Sequence, residues 1–200
     1  MGGMERVNRI WNHPAYQEAL GKLTAYEAER EFCRHTPEHF LAVARLTYLL
    51  ALEQGVEADK EIIYAAGLLH DMGRYLQYEN GTPHDEAGVM LAGPILQDCG
   101  FSEGESAEVL KLIGSHRTKS DKADLPGLFY RADKLSRSCF LCPSQEDCNW
   151  PEEKKEPGDS IITRKGEWLF LITGSAERRG HRTATVKMYE NRNQRIRRKE

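Results

Sequence analysis

Two hundred residues suit one domain with an appendage, and give enough chain for a sizeable core. A net charge of −3 makes no global case for nucleic acid or a membrane surface, and no apolar run approaches the ~20 residues of a membrane span. The opening MGGMERVNRIW lacks a signal-peptide pattern, so the sequence predicts a cytoplasmic protein whose five cysteines serve metal binding or thiol chemistry before disulfides.

Taken in chain order, the first two-thirds reads as successive amphipathic helices. Residues 14–31 start one at Pro14. Residues 37–54 form the next, with Pro37 at its first position and Gly55 just past its end. Residues 59–72 follow, then a turn-rich stretch, YENGTPHD. Residues 84–98 make a helix closed by Gly100, and 103–116 and 123–138 complete the set. No strand pattern interrupts them, so an all-α bundle is expected from about residue 4 to 140, within a first domain of residues 1–150. Beyond it, residues 151–200 read as a charged linker and a basic extension. SIITRKGEWLFLI fits a hairpin turning at Lys165–Gly166, or a helix for its second half, and the end reads as a solvated helix or a disordered tail. Residues 175–200 carry +6, leaving −9 for the rest. That basic end is the one nucleic-acid signal, and a solvated helix or disordered tail explains it better, so no nucleic-acid partner is expected.

Five polar residues fall on apolar stripes. Steps of 3, 4 or 7 lead from His39 to Val43, Leu46 and Leu50, and from His70 back to Ala66 and Ile63. They lead from His84 to Leu91 and, through Gly88, to Ile95. From His116 they run back to Ile113, Leu112 and Val109, and from Asp133 back to Phe129. All five should point inward, with Asp71 beside His70. One histidine on an apolar face is ordinarily a hydrogen-bonded core residue. Four imidazoles and two carboxylates facing one core would leave large desolvation costs uncompensated, and a bound cation removes that objection. Imidazole with carboxylate suits iron, manganese or zinc. Six ligands exceed one tetrahedral site and fit two ions sharing Asp71, while His39, His70, Asp71 and Asp133 alone would hold one.

These residues resemble a known family. His39, His70–Asp71 and Asp133 match the H…HD…D pattern of the HD-domain metal-dependent phosphohydrolases. HFLAVARLTYLLA, YAAGLLHDMGR and LPGLFYRADKLSR resemble the family's metal helices, with Arg74 where a lysine is usual. HDEAGVMLAGPIL and VLKLIGSHRTK are similar to the two extra histidine segments of dinuclear members. Among these the bacterial symmetrical diadenosine tetraphosphate hydrolases look nearest, and no GYP segment is present. The resemblance implies an all-α HD-domain bundle and hydrolysis of a nucleotide or small phosphate ester, a dinucleoside polyphosphate in the narrowest reading. It implies an iron or manganese site of one or two ions on His39, His70, Asp71, His84, His116 and Asp133. Asp71 would orient the nucleophile with Arg74 as its catalytic partner, and Arg74, Arg117, Lys134 and Arg137 would contact phosphate. For each cation a surface salt bridge is the competing reading. Two rivals share these residues: a diiron oxygenase of the same superfamily, and a non-catalytic metal or redox sensor. Homo-oligomers stay open.

CFLCPSQEDCNW carries Cys139, Cys142 and Cys148, starting six residues after Asp133, and Cys33 lies six before His39. These four cysteines are candidates for zinc or a [4Fe–4S] cluster, with zinc preferred because nothing demands redox chemistry; separate thiols are the alternative. Cys99 reads as a buried structural thiol. His35, four residues before His39, reads as an outer contact of the site, a substrate contact or an exposed side chain, and His13 and His181 carry no signal.

Overall fold

The structure, a computed structural model, describes residues 3–120, 122–137, 139 and 142–150. The expected hairpin or tail of residues 151–200 lies outside the described residues. These form helices in the order α1 (Glu5–Asn12), α2 (Pro14–Tyr26), α3 (Pro37–Gln54), α4 (Lys60–Leu69), α5 (Arg74–Asn80), α6 (His84–Asp98), α7 (Glu103–Ser115) and α8 (Leu125–Leu135). None of them is long and apolar enough to cross a membrane.

Local chemistry sets the starts. The Asp59 carboxylate accepts the Glu61 and Ile62 N–H groups, Asp124 accepts from Gly127, and Ser102 and Glu105 close a reciprocal capping box. Prolines open α2 and α3 at their first positions. Gly55 and Gly100, in left-handed conformation, follow the ends of α3 and α6 as expected.

Several expected boundaries shift, among them the helix expected over 123–138, which runs from Leu125 to Leu135. The helix from Pro14 stops at Tyr26, not residue 31, because the Glu27 carboxylate accepts both the backbone N–H and the ring of His35 and folds the chain back. The helix expected over 59–72 ends at Leu69, and the stretch taken as turn-rich hides α5, which runs through Asn80. A separate α1 precedes Pro14.

α3 packs against α4 and α8, α4 against α7 and α1, and α6 against α5 and α7. Ile10, Tyr16, Leu23, Phe40, Ile63, Leu69, Leu96, Leu112, Ile113 and Phe129 fill the core between them. Each such burial stabilises by roughly 1.5–3 kcal/mol. Gly67 permits the tight α3–α4 crossing: a Cβ there would stand 2.8 Å from the Ala44 Cβ and 3.0 Å from the Phe40 carbonyl oxygen. That approach brings the C-terminal end of α4, with His70, beside the start of α3, with His39.

Candidate metal centre

His39, His70, Asp71, His84, His116 and Asp133 are all buried, His70 completely. They come from the first turn of α3, the end of α4, the start of α6, the residue after α7 and the third turn of α8. Each of the five inward-pointing expectations therefore falls at a helix position facing one centre.

The ring nitrogens have defined roles. His70 Nδ1 donates to the Gly67 carbonyl (2.8 Å), His116 Nδ1 to the Ile113 carbonyl, and His84 Nδ1 to Gln77 Oε1 (2.7 Å). Ser136 spends its hydroxyl hydrogen on the Asp133 carbonyl (2.7 Å), so it accepts from His39 Nδ1 (3.0 Å). In the neutral rings all four Nε2 atoms are therefore lone pairs, and they converge; burial works against protonation of His39, but its contacts with Asp133 and Asp71 raise its pKa. His39 Nε2 stands 3.4 Å from both Asp71 Oδ2 and Asp133 Oδ1, and His70 Nε2 3.0 Å from Asp71 Oδ2. On the other side of Asp71, Oδ1 faces His84 Nε2 at 3.5 Å and His116 Nε2 at 3.7 Å, and those two nitrogens are 3.2 Å apart.

Lone pairs at such distances repel unless a positive charge lies between them. His70 Nε2 and Asp133 Oδ1 are buried with no hydrogen-bond partner among the described residues. Burial would raise the Asp71 and Asp133 carboxyls, yet the His70 and His35 rings beside Asp71, and His39 and the Lys134 ammonium beside Asp133, hold both below the usual carboxylate range. Burial, helped by the Arg74 charge, pushes His84 down to about 3, so its ring is a neutral ligand at pH 7. A cation with bonds of about 2.1 Å sets neighbouring ligand atoms about 3.0–3.4 Å apart. The contacts of His39 with Asp71 and Asp133 and of His70 with Asp71 meet that spacing, His70 Nε2 to Asp133 Oδ1 is wider at 3.9 Å, and the ligand atoms of these four lie within 4.8 Å of one another, as do those of Asp71, His84 and His116. The donor set and its orphaned atoms fit a divalent metal. Each histidine's second nitrogen is tied down, as metal-bound imidazoles require.

The cations stand at different depths. Arg74 Nε is buried without a hydrogen-bond partner, 3.7 Å from Asp71 Oδ1. Arg137 Nη2 reaches His35 Nε2 (3.3 Å), His39 Nε2 (3.4 Å) and Asp133 Oδ1 (3.7 Å). Lys134 pairs with the outer oxygen of Asp133. Arg117, half exposed, pairs with Asp85 at 3.2 Å and so links the residues next to His116 and His84.

Sequence reasoning passed over the residues that orient the ligands. Gln77 and Ser136 carry no pattern signal. Glu27, at the end of α2, binds His35 Nδ1 (2.6 Å) and accepts from the Tyr78 hydroxyl (2.8 Å). It aims His35 Nε2 at Asp71 Oδ2, 3.7 Å away, and His35 is buried rather than exposed. Cys33, Cys139 and Cys142 line a cavity with His39 and Arg137 next to this centre, and Cys99 lies in the apolar core.

Comparison with known proteins agrees with the geometry. The HD domain family model matches residues 36–142, which contain His39, His70, Asp71, His84, His116 and Asp133. An uncharacterized protein of Clostridium beijerinckii is 43% identical over 152 residues, covering 76% of this chain and 96% of that protein. Ribonuclease Y of Desulforudis audaxviator is 32% identical over 125 residues, but the match takes in 22% of that protein. An uncharacterized protein of Methanocaldococcus jannaschii is 36% identical over 91 residues, half its length. No solved structure matches. A divalent-metal site of histidine and aspartate is what the HD domain is built around, and by its sequence and its intact cluster this chain belongs to that family of metal-dependent phosphohydrolases.

Proposed function

We propose that the chain hydrolyses a nucleotide or another small phosphate ester with water activated at a site of two ions that share Asp71. One observation carries this reading: the two oxygens of Asp71 face opposite ways, Oδ2 toward His39 and His70 and Oδ1 toward His84 and His116. When bound, the ions lower the pKa of a coordinated water toward 7 and offset charge on the reacting phosphoryl oxygens. His39, His70 and Asp133 would hold one ion and His84 and His116 the other, with iron or manganese preferred for this donor set. Asp71, held ionised at the centre, orients the nucleophile. Arg74 has its Nε unpartnered and its side chain 21% exposed, which leaves its planar fork available to a phosphate. Arg137 is the inner counter-charge, and Lys134 and Arg117 would have to leave carboxylate partners to reach substrate.

A dinucleoside polyphosphate is the narrowest form of this proposal and rests on the local likeness of SHRTK and LPGLFYRADKLSR. A phosphodiester in RNA is a second reading, favoured by the match to part of ribonuclease Y. The oxygenase rival needs two irons and O2 on the same ligands. The test loads the full chain with Mn2+ or Fe2+ and offers nucleotides, diadenosine polyphosphates and short RNA, with O2 uptake followed in parallel. Metal-dependent release of a phosphate product, reduced at least about 10³-fold (~4 kcal/mol) by Asp71→Asn, supports the proposal. O2 consumption without ester hydrolysis would replace it by the oxygenase, and neither activity in metal-loaded protein by the sensor.

A further inference from the structure

Four cysteines form a group that hydrolysis at the His/Asp centre leaves unused. Cys33 lies between α2 and α3, and Cys139, Cys142 and Cys148 follow α8. Past Arg137 the backbone makes successive three-residue turns. The Cys142 N–H donates to the Cys139 carbonyl (3.1 Å), Gln145 to Cys142 (3.2 Å) and Cys148 to Gln145 (3.4 Å). Along these turns Cys139, Cys142 and Cys148 recur at steps of three and six residues. The Ser144 hydroxyl donates to the Glu31 carbonyl (3.2 Å), fastening these turns to the segment that carries Cys33. Cys33, Cys139 and Cys142 line one cavity of about 190 Å³ with Ser136, Arg137 and His39. Cys33, Cys142 and Cys148 each lie within electrostatic reach of Cys139.

Simple packing does not account for this group. Cys99 shows a packing thiol, 1% exposed among apolar side chains, whereas Cys33, Cys142 and Cys148 are only partly buried. Arg137 is the second clue. Its side chain is 9% exposed, it lines the same cavity as Cys33, and the Trp150 ring lies 5.8 Å from its guanidinium carbon. A buried guanidinium is stabilised by anions beside it. Asp133 is one. A metal held by four thiolates, with net charge of about −2 for Zn2+ or for an oxidised [4Fe–4S] core, would be the other.

We propose that Cys33, Cys139, Cys142 and Cys148 are the ligands of a separate thiolate-bound metal centre, zinc or an iron–sulfur cluster, joined to the His/Asp centre by the Arg137 guanidinium. The proposal stands independently of the substrate. It is tested by purifying the full chain anaerobically without added metal, as wild type, Cys33→Ser, Cys142→Ser and Asp71→Asn. Metal content and acid-labile sulfide are then measured. The expected result is zinc, or iron with sulfide, that both cysteine variants lose and Asp71→Asn keeps. Zinc without sulfide identifies a single ion, and iron with sulfide and a visible charge-transfer band identifies a cluster. Should the cysteine variants not fold, wild type is titrated with a mercurial thiol reagent while a chromophoric chelator reports released metal. Release in step with thiol modification supports the centre. Folded cysteine variants with wild-type metal content, or thiol modification without metal release, would overturn it.

Discussion

Gly73→Ala should damage the site through backbone alone. Gly73 lies between Asp71 and α5, against the start of α6. A Cβ there would stand 2.3 Å from the Gly88 nitrogen, 2.3 Å from the His84 carbonyl oxygen and 2.8 Å from the Ala87 carbonyl carbon. These are main-chain atoms, so no side-chain rotation relieves the contact, and the start of α6 must move outward by about 1 Å to reach ordinary contact distance. That start carries His84, whose Nε2 is 3.5 Å from Asp71 Oδ1. Overpacking of this kind costs about 1–3 kcal/mol, which for a chain of this size lowers the Tm by about 4–8 °C at the middle of that range. A 1 Å displacement of a catalytic ligand can also cost about 10²-fold in rate. Gly104→Ala is the control: nothing stands within 4 Å of a Cβ there, and in the first turn of α7 it should be neutral or stabilise by about 0.5 kcal/mol. The assays are thermal unfolding, metal stoichiometry and phosphate-ester turnover on both variants. Gly73→Ala that melts with wild type and keeps the His84–His116 ion would refute the idea that this contact sets His84 in place.

Gln77→Leu removes the acceptor of His84 Nδ1 at little change of volume and should weaken metal binding on the His84–His116 side by about 10–100-fold, read by metal titration, with binding at His39 and Asp133 less affected. Burial alone would raise the Glu27 carboxyl, but donation from the His35 ring and backbone and from Tyr78 holds it at about 2. A carboxyl lowered from about 4.5 in the unfolded chain to about 2 stabilises the fold above about pH 4.5 and loses that contribution as pH falls toward 2. The difference is about 3 kcal/mol, trimmed to about 2 by solvent on the Tyr78 side. Denaturant unfolding from pH 7 to 2.5 should show a steeper acid loss for wild type than for Glu27→Gln. Chelation of loaded protein should lower the Tm by about 10 °C, following some 4 kcal/mol of binding free energy at metal a thousandfold above Kd, and Asp71→Ala should abolish that response.

The centre was legible because its ligands violate a local rule at regular spacing. His39, His70, His84, His116 and Asp133 each occupy a position that the 3.6-residue period assigns to the core, and polar residues there need a partner. The residues that orient them break no such rule. Gln77 and Glu27 are ordinary helix residues by composition, and only the fold brings Gln77 to His84 or Glu27 to His35. Helix boundaries were misread for the same reason. Residues 27–31 have adequate helix propensity, but a buried carboxylate with three donors competes with the helical continuation and prevails. α5 was hidden because seven residues are too few for periodicity to register.

The arrangement also explains why the bundle tolerates so much buried polarity. Each Nδ1–H spent on a carbonyl, amide or hydroxyl oxygen removes the alternative tautomer, so no histidine can quench Asp71 by donating from Nε2 unless it becomes imidazolium. For His84 that happens only near pH 3. Without a cation the fold holds opposed lone pairs at 3.0–3.5 Å. The fixed second nitrogens keep those lone pairs converged instead of letting the rings rotate apart. A bound ion would offset the repulsion between these lone pairs, and the hydrogen bonds on the second nitrogens preorganise the site for it.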